Sequence, residues 1–263
     1  MQTVMQEDGI SPSVQVQNVP GAGGTIGLAQ FASQNKGNPD ALIVGGFVMV
    51  GAILTNNSPV SLKDVTPIAR LTGEYEAVVV PAASPIQDMK GLIEALKADP
   101  GAVSWAGGSA GGTDHIAVGL IAKAAGVDPT KINYIAYSGG GEALAAILGN
   151  QVTAGVSSLG EFDAQVKAGT LRLLAVSSPE RIEVADSPTL IEAGLHVQVQ
   201  NWRMVAAAPG LSDEQKAKVS ADIEKMVKSE NWQKQLADKG WSDTYLSGAD
   251  FDAQLAKDEE ATA

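Results

Sequence analysis

Short runs of β-branched and apolar residues alternate with longer stretches of helical periodicity along most of this chain. Examples are the apolar runs at residues 103–106, 132–136 and 152–156, each followed by a turn and then by a stretch with helical spacing. Alternating strands and helices favour mainly parallel sheets flanked by helices, because each helix returns the chain to the start of the next strand. The order of elements therefore predicts an α/β protein.

The middle of the chain carries consecutive strand–helix units of its own, and the composition becomes more charged from Ser212 onwards. A chain of 263 residues has room for two lobes of about 100–150 residues each. We predict a discontinuous first lobe formed by residues 1–101 and 200–263, and an inserted second lobe formed by residues 102–199.

Composition excludes several classes of function. The net charge of −12 and the lack of Lys/Arg clusters argue against a nucleic-acid partner. The chain has no cysteine and two histidines, which removes thiolate catalysis and leaves little basis for a metal site, and we expect no cofactor. Residues 1–8 lack the basic and apolar segments of a signal peptide.

Glycine-rich turns separate a predicted strand from a predicted helix at Gly21–Thr25, Gly107–Thr113 and Ser138–Gly141. A helix N-terminus offers unpaired N–H groups and a partial positive charge, and glycine lets an anion approach that backbone. One such turn is common in α/β proteins for geometric reasons alone. Three of them at the same edge of parallel sheets favour an anion-binding surface.

Two enzyme-like patterns compete with this interpretation. The segment 21–27 is close to a dinucleotide fingerprint, but its last glycine comes one position late and no G-K-[ST] motif occurs. The second pattern is the G-x-S-x-G sequence around Ser109, which is typical of a serine hydrolase. His196 is the one later histidine that could serve as its base, and it lies in a predicted strand instead of a loop.

Five ordered segments of the chain resemble the signature segments of the TctC/Bug family, the solute-binding proteins of tripartite tricarboxylate transporters. The segments are VQNVPGAGGTIG at 16–27, SWAGGSAGGTDH at 104–115, YSGGGEALAAILGNQV at 137–152, LRLLAV at 171–176 and PTLIEAG at 188–194. The resemblance extends over roughly residues 2–263.

This resemblance implies a two-lobed periplasmic-binding-protein fold of the second type that closes on its ligand. It implies a monomeric, non-catalytic, periplasmic receptor that delivers a small tricarboxylate or dicarboxylate to membrane permease subunits, with Ser109 as a hydrogen-bond donor. The serine hydrolase remains the alternative. The ligand contacts carried over by motif are Gly23, Gly24, Ser109, Gly111, Gly112, Thr113, His115, Tyr137, Ser138, Gly139 and Gly140.

One departure from the family pattern concerns the N-terminus. Family members begin with a strand and a Pro/Gly-rich loop that contacts the ligand, upstream of the helix expected at residues 2–8. Neither that strand nor that loop is found within residues 1–263. We therefore expect the first lobe to lack its first strand and part of its ligand site, and the sequence leaves the identity of the carboxylate open.

Overall fold

A computed structural model describes residues 1–182 and 187–262 of the chain. Its α-helices are α1 Gln2–Glu7, α2 Thr25–Gln34, α3 Phe47–Thr55, α4 Met89–Ala98, α5 Thr113–Ala124, α6 Gly140–Leu148, α7 Leu159–Lys167, α8 Asp213–Val227, α9 Glu230–Lys239 and α10 Gly248–Thr262. Its strands are β1 Leu42–Gly46, β2 Thr66–Pro81, β3 Ser104–Gly107, β4 Asn133–Ala136, β5 Ala154–Ser158, β6 Leu171–Val176, β7 Gln200–Ala207 and β8 Ser242–Ser247.

The chain divides into two compact units. Unit 1 comprises Met1–Gly73 and Trp202–Ala263, and unit 2 comprises Glu74–Asn201. The second boundary lies close to the predicted one, but the first lies at Gly73–Glu74, so that residues 74–101 belong to unit 2 and not to the first lobe as predicted.

The long strand β2 explains the displaced boundary. Two separate runs that each suit a short strand, at 65–71 and 77–80, lie within one strand of 16 residues that contains the unit boundary. The loop after β2 is also held in unit 2, because the Arg172 guanidinium of β6 donates to the carbonyl oxygens of Ala82 and Ile86 at 2.8 and 3.0 Å.

Unit 1 contains a sheet built from β1, β7, β8 and the first half of β2. β1 is antiparallel to β7, with Leu42 opposite Ala207, and β8 is antiparallel to β2. Helices α1, α8 and α9 cover a core whose buried side chains include Met226 and Trp232. Ser212 starts α8 with a reciprocal capping box to Gln215, as expected for a serine three residues before a glutamine.

Unit 2 contains the parallel part of the structure. β3 is parallel to both β4 and β5, and the connecting helices are α5 and α6. The second half of β2 is antiparallel to β5 and to β6. Buried apolar residues from these strands, from α6 and from α7 form one core that includes Ile147 and Phe162.

The predicted α/β architecture is confirmed, but the expectation of parallel strands holds only for β3, β4 and β5. In unit 1, β1 is antiparallel to β7 and β2 is antiparallel to β8. In unit 2, β2 lies between β5 and β6 and runs against both of them. The helical crossovers through α5 and α6 join strands that run parallel, whereas the connection through α4 leaves β2 antiparallel to the strands beside it.

Two segments with strand-like alternation are not strands. At 14–19 the backbone forms no ladder and Val16 is 65% exposed. At 196–199 the alternation does match burial, because Val197 and Val199 are buried and His196 is exposed, but β7 begins only at Gln200. At 196–199 the alternation records which residues face the core, but a strand also needs a partner, and at 14–19 the alternation matches neither burial nor pairing. Among the described residues, no helix combines the length and apolarity needed to cross a bilayer.

Candidate functional site

The turn between β3 and α5 is built to present a helix N-terminus. β3 ends at Gly107, α5 begins at Thr113, and no side chain caps the helix at Gly112. Gly112 N–H donates to the Ser109 carbonyl oxygen at 2.9 Å, and a Cβ on Gly112 would lie 2.9 Å from that oxygen. Gly111 has φ of +76°, which disfavours residues with a side chain. The turn thus depends on glycine at both positions.

Thr113 carries the most informative polar group of this turn. The residue is 1% exposed, and its Oγ1 has no hydrogen-bond partner in the part of the chain that the structure describes. Buried hydroxyl groups are nearly always hydrogen-bonded, so an unpaired one at a helix N-terminus points to a missing polar partner.

The turn between β4 and α6 has the same plan but a different environment. β4 ends at Ala136 and α6 begins at Gly140, again without a side-chain cap at Gly139. The Ser138 N–H donates to Glu142 Oε2 at 3.1 Å, and this contact is exposed. Glu142 therefore caps the turn from the solvent side.

The parallel pairing of β3 and β4 brings these two turns together within unit 2. Gly107 lies opposite Ala136, and Tyr137 N–H donates to the Gly107 carbonyl oxygen at 2.9 Å. A Cβ on Gly108 would lie 4.0 Å from Gly139 Cα. The predicted contacts of unit 2 thus come from two adjacent turns at one edge of its sheet: Ser109, Gly111, Gly112, Thr113, His115, Tyr137, Ser138, Gly139 and Gly140.

The other two predicted contacts, Gly23 and Gly24, belong to unit 1 and lie just before α2. Both have positive φ, and a Cβ on Gly23 would lie 2.4 Å from Ala52 Cβ on α3. Close packing against α3 is thus a sufficient structural reason for glycine at position 23. A ligand contact for these two residues stays a prediction.

The side chains of His115 and Tyr134 pack against each other and contact the backbone of the turn between β3 and α5. Their rings stack with centroids 4.3 Å apart, and His115 Nδ1 accepts from Gly111 N–H at 3.0 Å. Burial lowers the pKa of His115, and the accepting Nδ1 places the proton of the neutral ring on Nε2. The structure therefore gives this histidine a role in shaping the turn.

Gly108 is held on both its N–H and its carbonyl oxygen by the side chains of Asp114 and Tyr134. Asp114 Oδ2 accepts from Gly108 N–H at 2.7 Å, and the Tyr134 hydroxyl donates to the Gly108 carbonyl oxygen at 2.8 Å. Asp114 therefore occupies one N–H group that a ligand would otherwise find free. Burial raises the pKa of Tyr134, and the charges of Asp114 and Glu76 raise it further.

The local geometry around Ser109 differs from that of a hydrolase nucleophile. Its φ is not positive, α5 starts four residues later, and the residue is exposed. The nearby His115 uses Nδ1 to accept from Gly111, and His196 is exposed in another segment of unit 2. Within residues 1–182 and 187–262, no group of three or more His, Asp or Glu side chains could hold a metal ion.

Comparison with known proteins decides the family. Residues 3–263 match the family described as tripartite tricarboxylate transporter family receptor, TctC. This chain belongs to that family. It is 28% identical over 255 residues to the UPF0065 protein in gbd 5'region of Cupriavidus necator, covering 94% of this chain and 76% of the relative. It is 30% identical over 210 residues to protein BugT of Bordetella pertussis, covering 78% of this chain and 63% of BugT.

Solved structures show the same fold. A TctC solute-binding protein from Polaromonas, without ligand, superposes with a TM-score of 0.79 at 26% identity, covering 98% of this chain and 88% of that chain. MatC from Rhodopseudomonas palustris with bound malate superposes with a TM-score of 0.79 at 22% identity, covering 100% of this chain and 92% of that chain. Rpa4515 of R. palustris with adipate superposes with a TM-score of 0.79 at 20% identity, covering 99% of this chain and 86% of that chain. The predicted periplasmic-binding-protein fold is confirmed.

Sequence reasoning did not predict how deeply two acids of unit 2 are buried. Asp114 is 9% exposed and Glu76 is 1% exposed, and burial raises the pKa of Asp114, whose Oδ2 accepts from Gly108 N–H. The one available signal was Glu76 itself, a single acid directly before the apolar run at 77–80. An acid that directly precedes a continuously apolar run is a candidate for a buried polar group.

Proposed function

We propose that this chain is a non-catalytic, extracytoplasmic receptor that binds a small dicarboxylate or tricarboxylate and delivers it to the permease subunits of a tripartite tricarboxylate transporter. The family supports the receptor role. Malate and adipate in two proteins of the same fold support a small carboxylate as the ligand class.

The observation that carries this proposal is the unpartnered hydroxyl of Thr113. It lies in the first turn of a 12-residue helix, next to an N-cap that no side chain satisfies. A carboxylate oxygen bound there would accept from the Thr113 hydroxyl and from the N–H groups of the first turn. Hydrogen bonds to a charged group contribute about 1.5–3 kcal/mol each.

The acidic character of the protein does not oppose an anionic ligand. The net charge is −12, but charges separated by more than roughly 10 Å in solution are largely screened. Within the site, oriented N–H groups and the α5 helix end determine the local potential. Ser109 and Ser138 add further hydroxyl groups at the same edge of the sheet.

Replacing Thr113 by valine tests the proposal, because valine keeps the shape and removes the hydroxyl. We expect Thr113→Val to weaken malate or adipate binding about 10- to 100-fold. The same change should leave the free protein as stable as the wild type or more stable, because it removes an unsatisfied buried group. Thr113→Ser, which keeps the hydroxyl, is the matched control and should bind almost as the wild type does.

Calorimetry with malate, adipate and citrate measures the affinities, and thermal unfolding measures the stability of the free variants. Opposite signs for binding and stability in Thr113→Val support the proposal. Equal carboxylate affinity for wild type and Thr113→Val contradicts the site, and binding of sugars or metal ions in place of carboxylates contradicts the receptor function.

A further inference from the structure

The N–H groups of the β3–α5 turn are divided between the protein and its proposed ligand. Gly108 N–H donates to Asp114 Oδ2 at 2.7 Å, and Gly111 N–H donates to His115 Nδ1 at 3.0 Å. Both groups are therefore occupied by side chains of α5. The N–H groups of the first turn of α5, which begins at Thr113, have no acceptor within the helix. These groups and the Thr113 hydroxyl remain for a carboxylate.

Two stacked rings from different elements contact this turn. His115 of α5 and Tyr134 of β4 have ring centroids 4.3 Å apart and an angle of 20° between their planes. His115 accepts from Gly111, and the Tyr134 hydroxyl donates to the Gly108 carbonyl oxygen at 2.8 Å. The stacked pair of His115 and Tyr134 therefore holds two glycines of the turn that are three residues apart.

The glycine that ends β3 makes room for the stacked pair. A Cβ on Gly107 would lie 2.3 Å from the Tyr134 hydroxyl oxygen and 2.8 Å from Asp114 Cβ. Both distances are well below van der Waals contact, so a side chain at position 107 would push the hydroxyl away from Gly108. Glycine at position 107 is thus part of the same arrangement, because it allows the hydrogen bond between Tyr134 and Gly108.

We propose that Tyr134 and His115 are positioning residues for carboxylate binding, which hold the Gly107–Thr113 turn in the form that presents the α5 N-terminus while neither ring contacts the ligand. The proposal rests on the proposed function, because it concerns the same turn. His115, which the sequence predicts as a ligand contact, acts on the ligand through Gly111 instead. A turn that adopts the binding form for only part of the time binds its ligand more weakly in the same proportion.

The role of His115 requires one particular tautomer. Nδ1 can accept from Gly111 N–H only while it carries no proton, so the neutral ring has its proton on Nε2. Burial lowers the pKa of His115 from its ordinary value of about 6.5, which keeps the ring neutral at pH 7.5. The tautomer is therefore an observable consequence of the contact with Gly111.

NMR of the full chain tests the tautomer without any ligand. At pH 7.5 we expect the ¹⁵N signals of His115 to show an unprotonated Nδ1 and a protonated Nε2. His196 is exposed and serves as the internal reference, since a solvated neutral imidazole exchanges between its two tautomers. A proton on Nδ1 of His115, or averaged signals like those of His196, overturns the proposal.

Two amide side chains at position 115 distinguish positioning from ligand contact. The Oδ1 of asparagine can take the place of Nδ1, whereas the amide group of glutamine reaches the place of Nε2. We expect His115→Asn to bind malate within about threefold of the wild type, and His115→Gln to bind it roughly tenfold more weakly, because only asparagine restores an acceptor for Gly111. Any other order, including equal affinities, contradicts an action through Nδ1.

Tyr134→Phe removes the hydroxyl and keeps the ring that stacks on His115. We expect malate affinity to fall roughly 2- to 10-fold, as for the loss of one hydrogen bond. The control is Tyr245→Phe, which removes a tyrosine hydroxyl from β8 in unit 1 and should bind malate as the wild type does. Equal affinities of Tyr134→Phe and the wild type show that the Gly108 contact does not position the turn.

Measurements on the free proteins separate this inference from the proposed function. In Tyr134→Phe and His115→Gln we expect the amide signals of Gly108 and Gly111 to shift relative to the wild type, and in Tyr245→Phe to stay in place. Unchanged signals in all three variants show that the stacked pair does not hold the turn. If the wild type binds neither malate, adipate nor citrate, the proposed function is contradicted, and the tautomer and amide signals still decide whether the pair positions the turn.

Discussion

The two turns at the edge of the unit 2 sheet share one design and differ in burial. Each joins a parallel strand to a helix that no side chain caps, and in each an acid of the first helical turn accepts a backbone N–H from the preceding loop. In the β3–α5 turn that acid is the buried Asp114, and in the β4–α6 turn it is the exposed Glu142. The same contact between an acid and a backbone N–H is thus buried in one turn and exposed to water in the other.

The largest expected difference between the turns concerns a new charge at the helix start. Thr113→Asp places a carboxylate where the ligand is proposed to bind, so we expect at least a hundredfold loss of malate or adipate affinity by calorimetry. Ser138→Asp puts the same charge on the more exposed turn, where water screens it, and should cost roughly tenfold or less. Equal losses at both positions would mean that the two turns contribute alike to the site.

Replacing the acid of each turn by alanine should change the stability of the protein by different amounts. Asp114→Ala leaves the Gly108 N–H without its buried partner, and we expect a loss of about 2–3 kcal/mol in the free energy of unfolding. Glu142→Ala removes an exposed cap and should change little. Urea unfolding at pH 7 measures both, and a Glu142→Ala variant as unstable as Asp114→Ala would contradict the difference in burial.

A smaller difference is expected from glycine substitutions. Gly111 has φ of +76°, whereas Gly139 has φ of −179° and open space around a would-be Cβ. Gly111→Ala should therefore lower the free energy of unfolding by about 1–2 kcal/mol, and Gly139→Ala should be close to neutral. Thermal unfolding of the two variants checks this, and equal melting temperatures would refute it.

The smallest effect is expected at Ser109. Because no hydrogen bond between Ser109 and a histidine is found in the described part of the chain, we expect no covalent labelling by a fluorophosphonate and no ester hydrolysis above background. Mass spectrometry after labelling is the measurement, with Ser109→Ala as the blank. Stoichiometric labelling at Ser109 would restore the hydrolase alternative.

The sequence predicted the part of the fold in which apolar runs mark the strands and helices connect strands that are neighbours in the sheet. For β3 and β4, the apolar runs at 103–106 and 132–136 and the observed strands differ by one residue, because each run is bounded by glycine or a loop and the crossover between them is helical. The same pattern located the two turns of unit 2. It could not locate β2 in the sheet, because β2 pairs with β5 and β6, which lie far from it in sequence.

The sequence predicted where the backbone of the candidate site lies, but not which of its side chains are buried or lack a hydrogen-bond partner. Glycine spacing identifies where a helix N-terminus is exposed, which is a local property. The burial of Asp114 and Glu76 depends on how distant elements pack, and the unpartnered state of the Thr113 hydroxyl depends on what surrounds it. Such properties arise from tertiary packing, so a single sequence does not predict them.

The continuous strand β2 also has a practical consequence for dissecting the protein. A gene fragment that starts near residue 102, at the boundary predicted from sequence, would omit the strand that lies between β5 and β6. Both of those strands would then present an unpaired edge, which is a template for intermolecular pairing. A soluble fragment of unit 2 therefore has to start near Glu74 and carry the second half of β2.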